Sequence, residues 1–349
     1  MKTIKIKFVG YWSGFDYTQQ HIYRVLRKHY DVQVVEDDPE YVICSVFGSP
    51  YEYCKYPQVR VMYVGENYLP NLNLVDYGIC NYPIKLQDRT FYFPFCLDEF
   101  GHCESLQSKN RNYSKDILKD KIYFANFIAG HESENGIRGG FFKKLDSEYK
   151  RVESVGSYLN NQPDGKRVQW ANDSKREFQS KCKFTLCFES TKHEGFVTEK
   201  ITDAFYADTI PIYYGSDSVK DIFNEKAFIN CADYPDFDSV LAKIRELDED
   251  DEKYMEMLRQ PIFVNPNFVD DTLEAFEKYI CHIFNQPLDK AYRRSRVYCA
   301  KTADEFAFQL NASYRRPLRE GFSLFFRESK KNLISMSARI KRWFKKTKK

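Results

Sequence analysis

The stretch Lys183–Gly215 constrains the fold more tightly than any other part of the chain. Phe184–Phe188 and Ile210–Tyr214 are short apolar runs of strand length, too brief for buried helices. Between them Thr198 stands as a candidate N-cap for a helix from about Glu199 to Ala207. A strand, a polar loop, a helix and a second buried strand within 33 residues make the repeating unit of a parallel α/β sheet. Such sheets present ligand-binding groups at the carboxyl ends of their strands. Here that end carries Glu189, Ser190, His193, Glu194, Glu199 and Lys200. A helix start with a lysine in its first turn suits a phosphate. Alone, the same Glu-Lys pair also fits a solvated first turn, with the glutamate complementing the helix dipole.

The rest of the chain repeats the pattern. Strands are expected at Ile4–Val9, Val32–Val35, Tyr41–Ser45, Val59–Val64, Tyr77–Cys80 and Thr90–Pro94, with a helix at Tyr17–His29. The polar, aperiodic Glu104–Lys119 reads as a linker or surface loop. A second α/β unit follows, with strands at Lys121–Ile128, Val152–Val155, Phe184–Phe188, Ile210–Tyr214 and Ala227–Asn230. Its helices are expected near Arg138–Leu145, Phe237–Leu247 and Asp271–Phe284. The chain thus divides into residues 1–115, residues 116–290 and a C-terminal segment 291–349.

That last segment differs in charge. From Tyr314 onward 13 Lys and Arg face 2 Asp and Glu, leaving residues 1–313 with 40 against 48. Leu333, Met336, Ile340, Trp343 and Phe344 recur there at helical spacing among basic residues. A basic amphipathic helix of this kind suits an anionic membrane surface. Docking on the same protein is a rival, whereas the acidic body and the lack of a nucleic-acid motif argue against nucleic acid. No run of about 18 apolar residues occurs, and MKTIKIKFVGYW lacks the apolar core of a secretory signal. The ten cysteines show no metal-binding spacing, and Cys44 and Cys187 sit within apolar runs, as reduced thiols do. These features together lead to the expectation of a cytoplasmic protein, peripheral at the inner face of the cell membrane.

Three segments carry chemistry. In the first, Lys183, Phe184, Leu186, Phe188 and Glu189 are followed by Phe196, Val197, Thr198, Glu199 and Lys200, then by Thr209, Pro211, Ile212 and Gly215. The second, RVMYVGENYLPNLN over Arg60–Asn73, ends a strand and places Glu66 at its carboxyl end, ahead of Asp76 and Tyr77. The third, Tyr123–Leu145, leads from a strand through a small, polar loop to Arg138 at a helix start. Read singly, Glu66 is a loop carboxylate and Arg138 an exposed helix-start cation. Together the segments resemble family 10 of the glycosyltransferases, the α-1,3/4-fucosyltransferases. Ser190 stands where that family usually has Asn, and Phe196 where it usually has Tyr; both changes remove hydrogen-bonding capacity.

The resemblance implies an α/β fold of GT-B architecture, two Rossmann-like domains facing across a cleft. The first would take the acceptor and the second a GDP-sugar. It implies inverting transfer of L-fucose from GDP-β-L-fucose to N-acetylglucosamine of a lactosamine-type glycan on a bacterial surface polysaccharide. Glu66 would be the general base, and Glu199 would bind donor sugar or ribose and stabilise positive charge at the anomeric centre. Arg138 and Lys200 would offset charge on the departing GDP. Tyr63, Gly156, Ser190, Phe196, Val197 and Thr198 fall at further donor-side positions. No cofactor is required on this reading, although Mn2+ or Mg2+ stimulation stays open. Asp248–Asp251 reads as a solvated charged stretch, not a metal site. Trp12, Gly14, Phe15 and Asp16, just after the first strand, either face the acceptor or serve as core and turn residues. Other readings are a GT-B transferase using a different nucleotide sugar and a non-catalytic, membrane-attached glycan-binding module.

Overall fold

The computed structural model describes residues 1–49, 51–97, 102–168, 173–295, 302–307 and 309–310. Among them the strands form two wholly parallel sheets. The first contains β1 (Lys2–Val9), β2 (Tyr30–Val34), β3 (Tyr41–Cys44), β4 (Val59–Tyr63), β5 (Tyr77–Cys80) and β6 (Thr90–Tyr92), in the order β2-β1-β3-β4-β5-β6. The second contains β7 (Tyr123–Phe127), β8 (Val152–Ser154), β9 (Cys182–Phe188), β10 (Ile210–Tyr214) and β11 (Ile229–Asn230), in the order β11-β10-β9-β7-β8. Every residue of β3 and β4 is buried, as expected for central strands covered on both faces. Pairing of Ile210 with Phe184 and Tyr214 with Phe188 sets the two apolar runs side by side.

The helices are α1 (His21–His29), α2 (His102–Gln107), α3 (Ile137–Glu148), α4 (Ser174–Gln179) and α5 (Glu199–Tyr206). They continue with α6 (Val219–Ile222), α7 (Phe237–Glu249), α8 (Asp251–Leu258), α9 (Phe268–Asn285) and α10 (Leu288–Ala291). Expected and observed strands agree to within a few residues, and the fold is the two-domain α/β GT-B architecture.

Several expectations are corrected. The helix expected over Tyr17–His29 breaks at Gln20, whose extended backbone separates a 3-10 turn from α1. Glu104–Lys119 is no free linker, because it contains most of α2 and a 3-10 turn and is strapped to the second domain. Arg111 donates from Nε to Leu258 O at 2.8 Å and lies over the Phe205 ring. Asp248 is not solvated: its nearly buried carboxylate pairs with Lys150 at 2.5 Å and Lys183 at 2.8 Å, while Asp250 caps α8 by accepting from Glu252 N and Lys253 N.

The largest change concerns α9. Its sequence position assigns it to the second domain, yet Phe276, Ile280, Ile283 and Phe284 pack with Ile4, Ile22, Tyr41 and Tyr77 beside the first sheet. Lys2 Nζ donates to Phe284 O at 2.9 Å and Tyr30 hydroxyl to Asn285 Oδ1 at 2.8 Å. Buried Asp76 then fastens the chain beyond α10. Its Oδ1 accepts the backbone N–H groups of Arg293 and Arg294, both at 2.8 Å, and Oδ2 accepts Arg60 N–H at 2.7 Å. The first domain therefore consists of its N-terminal sheet and chain from beyond the second domain. The basic, amphipathic stretch from Tyr314 onward lies outside the described residues.

Candidate active site

The residues singled out by sequence gather where the physics of a parallel sheet puts them, just beyond strand carboxyl ends. Glu66 follows β4, the Ala129–His131 loop follows β7, Gly156 follows β8 and Glu189 follows β9.

On the second domain the centre is a buried carboxylate to which the sequence alone assigns no role. Glu189 Oε1 accepts Thr198 N–H at 2.9 Å, and Oε2 accepts Lys200 Nζ at 2.9 Å. The Thr198 hydroxyl lies 2.9 and 2.8 Å from the two oxygens and accepts from Lys200 Nζ at 2.8 Å. Thr198 occupies the N-cap position of α5 but its side chain makes no capping bond: its hydroxyl points to Glu189, and the hydroxyl oxygen accepts from Lys200 Nζ rather than from a backbone N–H of the helix. Glu199, beside Lys200, is also buried, with its carboxylate 3.7 Å from the ammonium. Below it Lys175 and Arg176 of α4 bind Asp203 of α5 at 2.5 and 2.7 Å. Burial opposes charge on Glu199, but Lys200 and Lys175 hold its pKa below the ordinary carboxylate value. Burial likewise opposes charge on Lys200, yet Glu189 and Glu199 hold it above the ordinary lysine value. Glu199 and Lys200 thus hold each other's charge, and the Lys200 side chain at the edge of the cluster is partly exposed.

Arg138 is the second residue of α3 but is not exposed. Its guanidinium turns inward, donating to His131 O and Phe188 O at 2.8 Å each, and its Nε is buried without a hydrogen-bond partner. It ties the loop after β7 to the end of β9. Glu132, which sequence reasoning passed over, caps the same helix: Oε1 accepts Ser133 N–H at 2.7 Å and Gly139 N–H at 3.0 Å, and Oε2 accepts the Tyr158 hydroxyl. The only sequence signal for it is an acidic residue shortly before a helix start.

Other donor-side candidates serve the scaffold. Val197 and Phe196 are buried side chains, and Val197 contributes its carbonyl to Cys96 N–H at 2.9 Å. Tyr63 is 5% exposed and packs against Phe93 and Phe276, although it also borders the Glu66 cavity. Ser190 is half-buried and accepts Glu134 N–H through its carbonyl at 3.1 Å. At Gly156 a Cβ would lie 2.3 Å from Ala129 O, so the missing side chain lets the loops after β7 and β8 touch.

Glu66 is exposed and opens onto a cavity of about 260 Å³ in the first domain. Tyr11, Trp12, Asp16, Phe47, Tyr63 and Phe95 share its lining. Trp12 and Phe47 meet edge to face at 5.1 Å and remain 48% and 45% exposed, which offers aromatic surface beside a carboxylate. Trp12, Gly14 and Asp16 therefore do line the cavity, while Phe15 stacks beneath Tyr11 at 3.9 Å. The two halves meet through the turn after β6, where Asn81 Oδ1 accepts Phe95 N–H at 2.9 Å and Cys96 N–H reaches Val197 O. Among the described residues, no group of three or more His, Cys, Asp and Glu side chains is placed to hold a metal ion.

Comparison with known proteins gives a consistent picture. Residues 118–299 match the profile "Glycosyltransferase family 10 (fucosyltransferase) C-term", and residues 6–97 match "Alpha-(1,3)-fucosyltransferase FucT N-terminal domain". The chain is 32% identical over 291 residues to Alpha-(1,3)-fucosyltransferase FucT of Helicobacter pylori, covering 73% of this chain and 59% of that protein. It is 27% identical over 224 residues to Putative fucosyltransferase R654 of Acanthamoeba polyphaga mimivirus, covering 62% of this chain and 35% of that protein. The chain thus spans well under two thirds of the length of both. A crystal structure of an alpha1,3-fucosyltransferase superposes with a TM-score of 0.67 at 27% identity, covering 85% of this chain and 93% of that one. The alpha1,3-fucosyltransferase structure with GDP-fucose gives a TM-score of 0.63 at 28% identity, covering 80% and 91%.

Proposed function

The chain belongs to glycosyltransferase family 10, and from that premise we propose that it is an inverting α-1,3-fucosyltransferase acting on GDP-β-L-fucose. The observation that carries this reading is the buried Glu189–Thr198–Lys200 cluster beside Glu199, joined by Cys96 and Val197 to the domain that holds Glu66. A positive edge suits a diphosphate leaving group, and an exposed carboxylate beside an aromatic cavity suits a sugar hydroxyl.

In the proposed reaction Glu66 takes the proton of the acceptor hydroxyl as its oxygen bonds to the anomeric carbon of fucose. The bond from that carbon to the β-phosphate oxygen breaks in the same displacement, and GDP leaves with the electron pair. Lys200 offsets charge on the departing diphosphate, where a preorganised cation is worth most. Glu199 faces the positive charge that develops on the sugar. Arg138, bound to two carbonyls, contributes by shaping the loop and by its field rather than by open contact. The acceptor side takes N-acetylglucosamine of a lactosamine-type glycan, with Trp12 and Phe47 as a stacking surface. No metal is required in this scheme. The basic segment 321–349 holds the enzyme at an anionic membrane surface, each basic residue contributing about 1 kcal/mol.

The test is transfer to N-acetyllactosamine from GDP-fucose, GDP-mannose and UDP-sugars in parallel, with linkage analysis of the product. Turnover with GDP-fucose and an α-1,3 product is expected. Turnover confined to another donor would replace this reading with a different sugar transferase.

A further inference from the structure

The loop between β9 and α5 joins Glu189 to Thr198, yet its own residues take no part in the reaction as described. His193 in that loop reaches across to the first domain and lies flat on Tyr82, with ring centroids 4.3 Å apart and planes 1° from parallel. Its other contacts hold the ring in place. Phe196 packs against it at 4.9 Å, Nδ1 is bonded to Glu194 O at 2.9 Å, and Nε2 is buried without a hydrogen-bond partner. The adjacent Gly195 is gripped from both domains. Its N–H meets the Ser216 and Ser218 hydroxyls, both at 3.1 Å, and its carbonyl accepts the Tyr92 hydroxyl at 3.1 Å.

Tyr82 is also the contact that leads toward Glu66. Its hydroxyl donates to Asn67 Oδ1 at 2.6 Å. The residue before it, buried Asn81, donates from Nδ2 to Gly65 O and lies 3.5 Å from Glu66 O. Gly65 and Asn67 flank Glu66, so consecutive residues of the β5–β6 loop hold the base from both sides. One of those two residues carries the stacked histidine of the donor loop.

We propose that Tyr82 is a positioning residue that couples the seating of the donor loop to the aim of the Glu66 carboxylate. The histidine ring fixes the plane of the tyrosine, the tyrosine hydroxyl fixes Asn67, and Asn67 sets the turn that presents Glu66. Simple packing would need the ring but not the hydroxyl, which separates the two explanations. The inference rests on Glu66 acting as the base.

Tyr82→Phe keeps the stack and removes the hydroxyl. The expected result is a kcat for fucose transfer lower by about 10- to 100-fold, as for a misaimed catalytic group, with KM for GDP-fucose and the thermal unfolding midpoint unchanged. Asn67→Ala, at the exposed end of the same bond, should give the same loss, and the double variant should lose no more than either single one. His193→Ala should lower kcat while His193→Phe restores it. Should Tyr82→Phe fail to fold, Asn67→Ala carries the same expectation. An unchanged kcat in Tyr82→Phe, or additive losses in the double variant, overturns the inference while the transferase reading stands. Absence of transfer by the unaltered chain overturns both.

Discussion

The Glu189 carboxylate and the Lys200 ammonium stand 2.9 Å apart, with the Glu189 side chain fully shielded from solvent and the Lys200 side chain one-fifth exposed. Glu189 therefore acts as the anchor from which Lys200 reaches the site, and Thr198 bonds to both. Glu189→Gln preserves the shape but leaves the ammonium facing a neutral group. The expected loss of folding stability is roughly 1–3 kcal/mol, typical of a buried polar group left poorly matched. It should appear as a lower urea midpoint together with weaker GDP binding; wild-type values for both would show that Lys200 is held by other means.

Glu66→Gln should slow fucose transfer by about 10²- to 10⁴-fold, the usual worth of a positioned general base. GDP-fucose affinity measured by calorimetry should stay within about twofold of wild type, given the carboxylate's place on the opposite domain. Lost donor binding would instead assign Glu66 to the donor.

His21 supplies a pH dependence. It lies at the start of α1 with Nε2 2.9 Å from Leu97 O, and burial, outweighing that bond, pushes its pKa below the ordinary 6.5. The unfolded chain takes up a proton below that value while the folded one resists it. This contribution to stability is complete above pH 6.5 and is lost as the pH falls from there toward the lower folded pKa. His21→Gln removes the titration and keeps a donor for Leu97 O. Its unfolding free energy should vary less with pH than that of wild type between about pH 7 and 5; identical slopes would locate the titration elsewhere.

Gly195 has φ of +83°, and a Cβ there would lie 2.2 Å from Asn81 O. Gly195→Ala should lose at least about 1–3 kcal/mol through backbone strain alone. Because the clash is between domains, transfer should fall as well. Wild-type stability and rate would mean that the loop relaxes without consequence.

Deleting residues 321–349 should release the protein from phosphatidylserine vesicles and leave turnover on soluble acceptors within about twofold. Retention on the vesicles would move the attachment to the body of the protein.

How much the sequence reveals depends on the range of the forces involved. Short apolar runs mark β3, β4, β9 and β10 because central strands of a parallel sheet bury both faces. Glu66 and Lys200 are visible because each sits just past a strand or at a helix start. Side-chain direction is less visible. Arg138 at a helix start suggests a cation facing outward, whereas two carbonyls, one from the loop after β7 and one from the end of β9, turn it inward. Thr198 has the sequence of a cap, but its hydroxyl is claimed by a carboxylate nine residues earlier. Asp248 looks solvated within an acidic run until folding brings Lys150 and Lys183 to it. The docking of α9 on the first sheet depends on contacts more than 200 residues apart, which local periodicity does not encode.

The return of α9 has a consequence for biosynthesis. As the chain leaves the ribosome, the acceptor domain waits for a helix made after the strands of the donor domain. Until Phe268–Asn285 appears, the apolar face around Ile4, Ile22 and Tyr41 lacks its cover. A nascent chain stopped near residue 265 would therefore hold an unfinished acceptor half, although all strands of both sheets have been made. The same logic forbids dividing the gene at the apparent boundary: a separately expressed acceptor half needs residues 268–295 spliced back onto it.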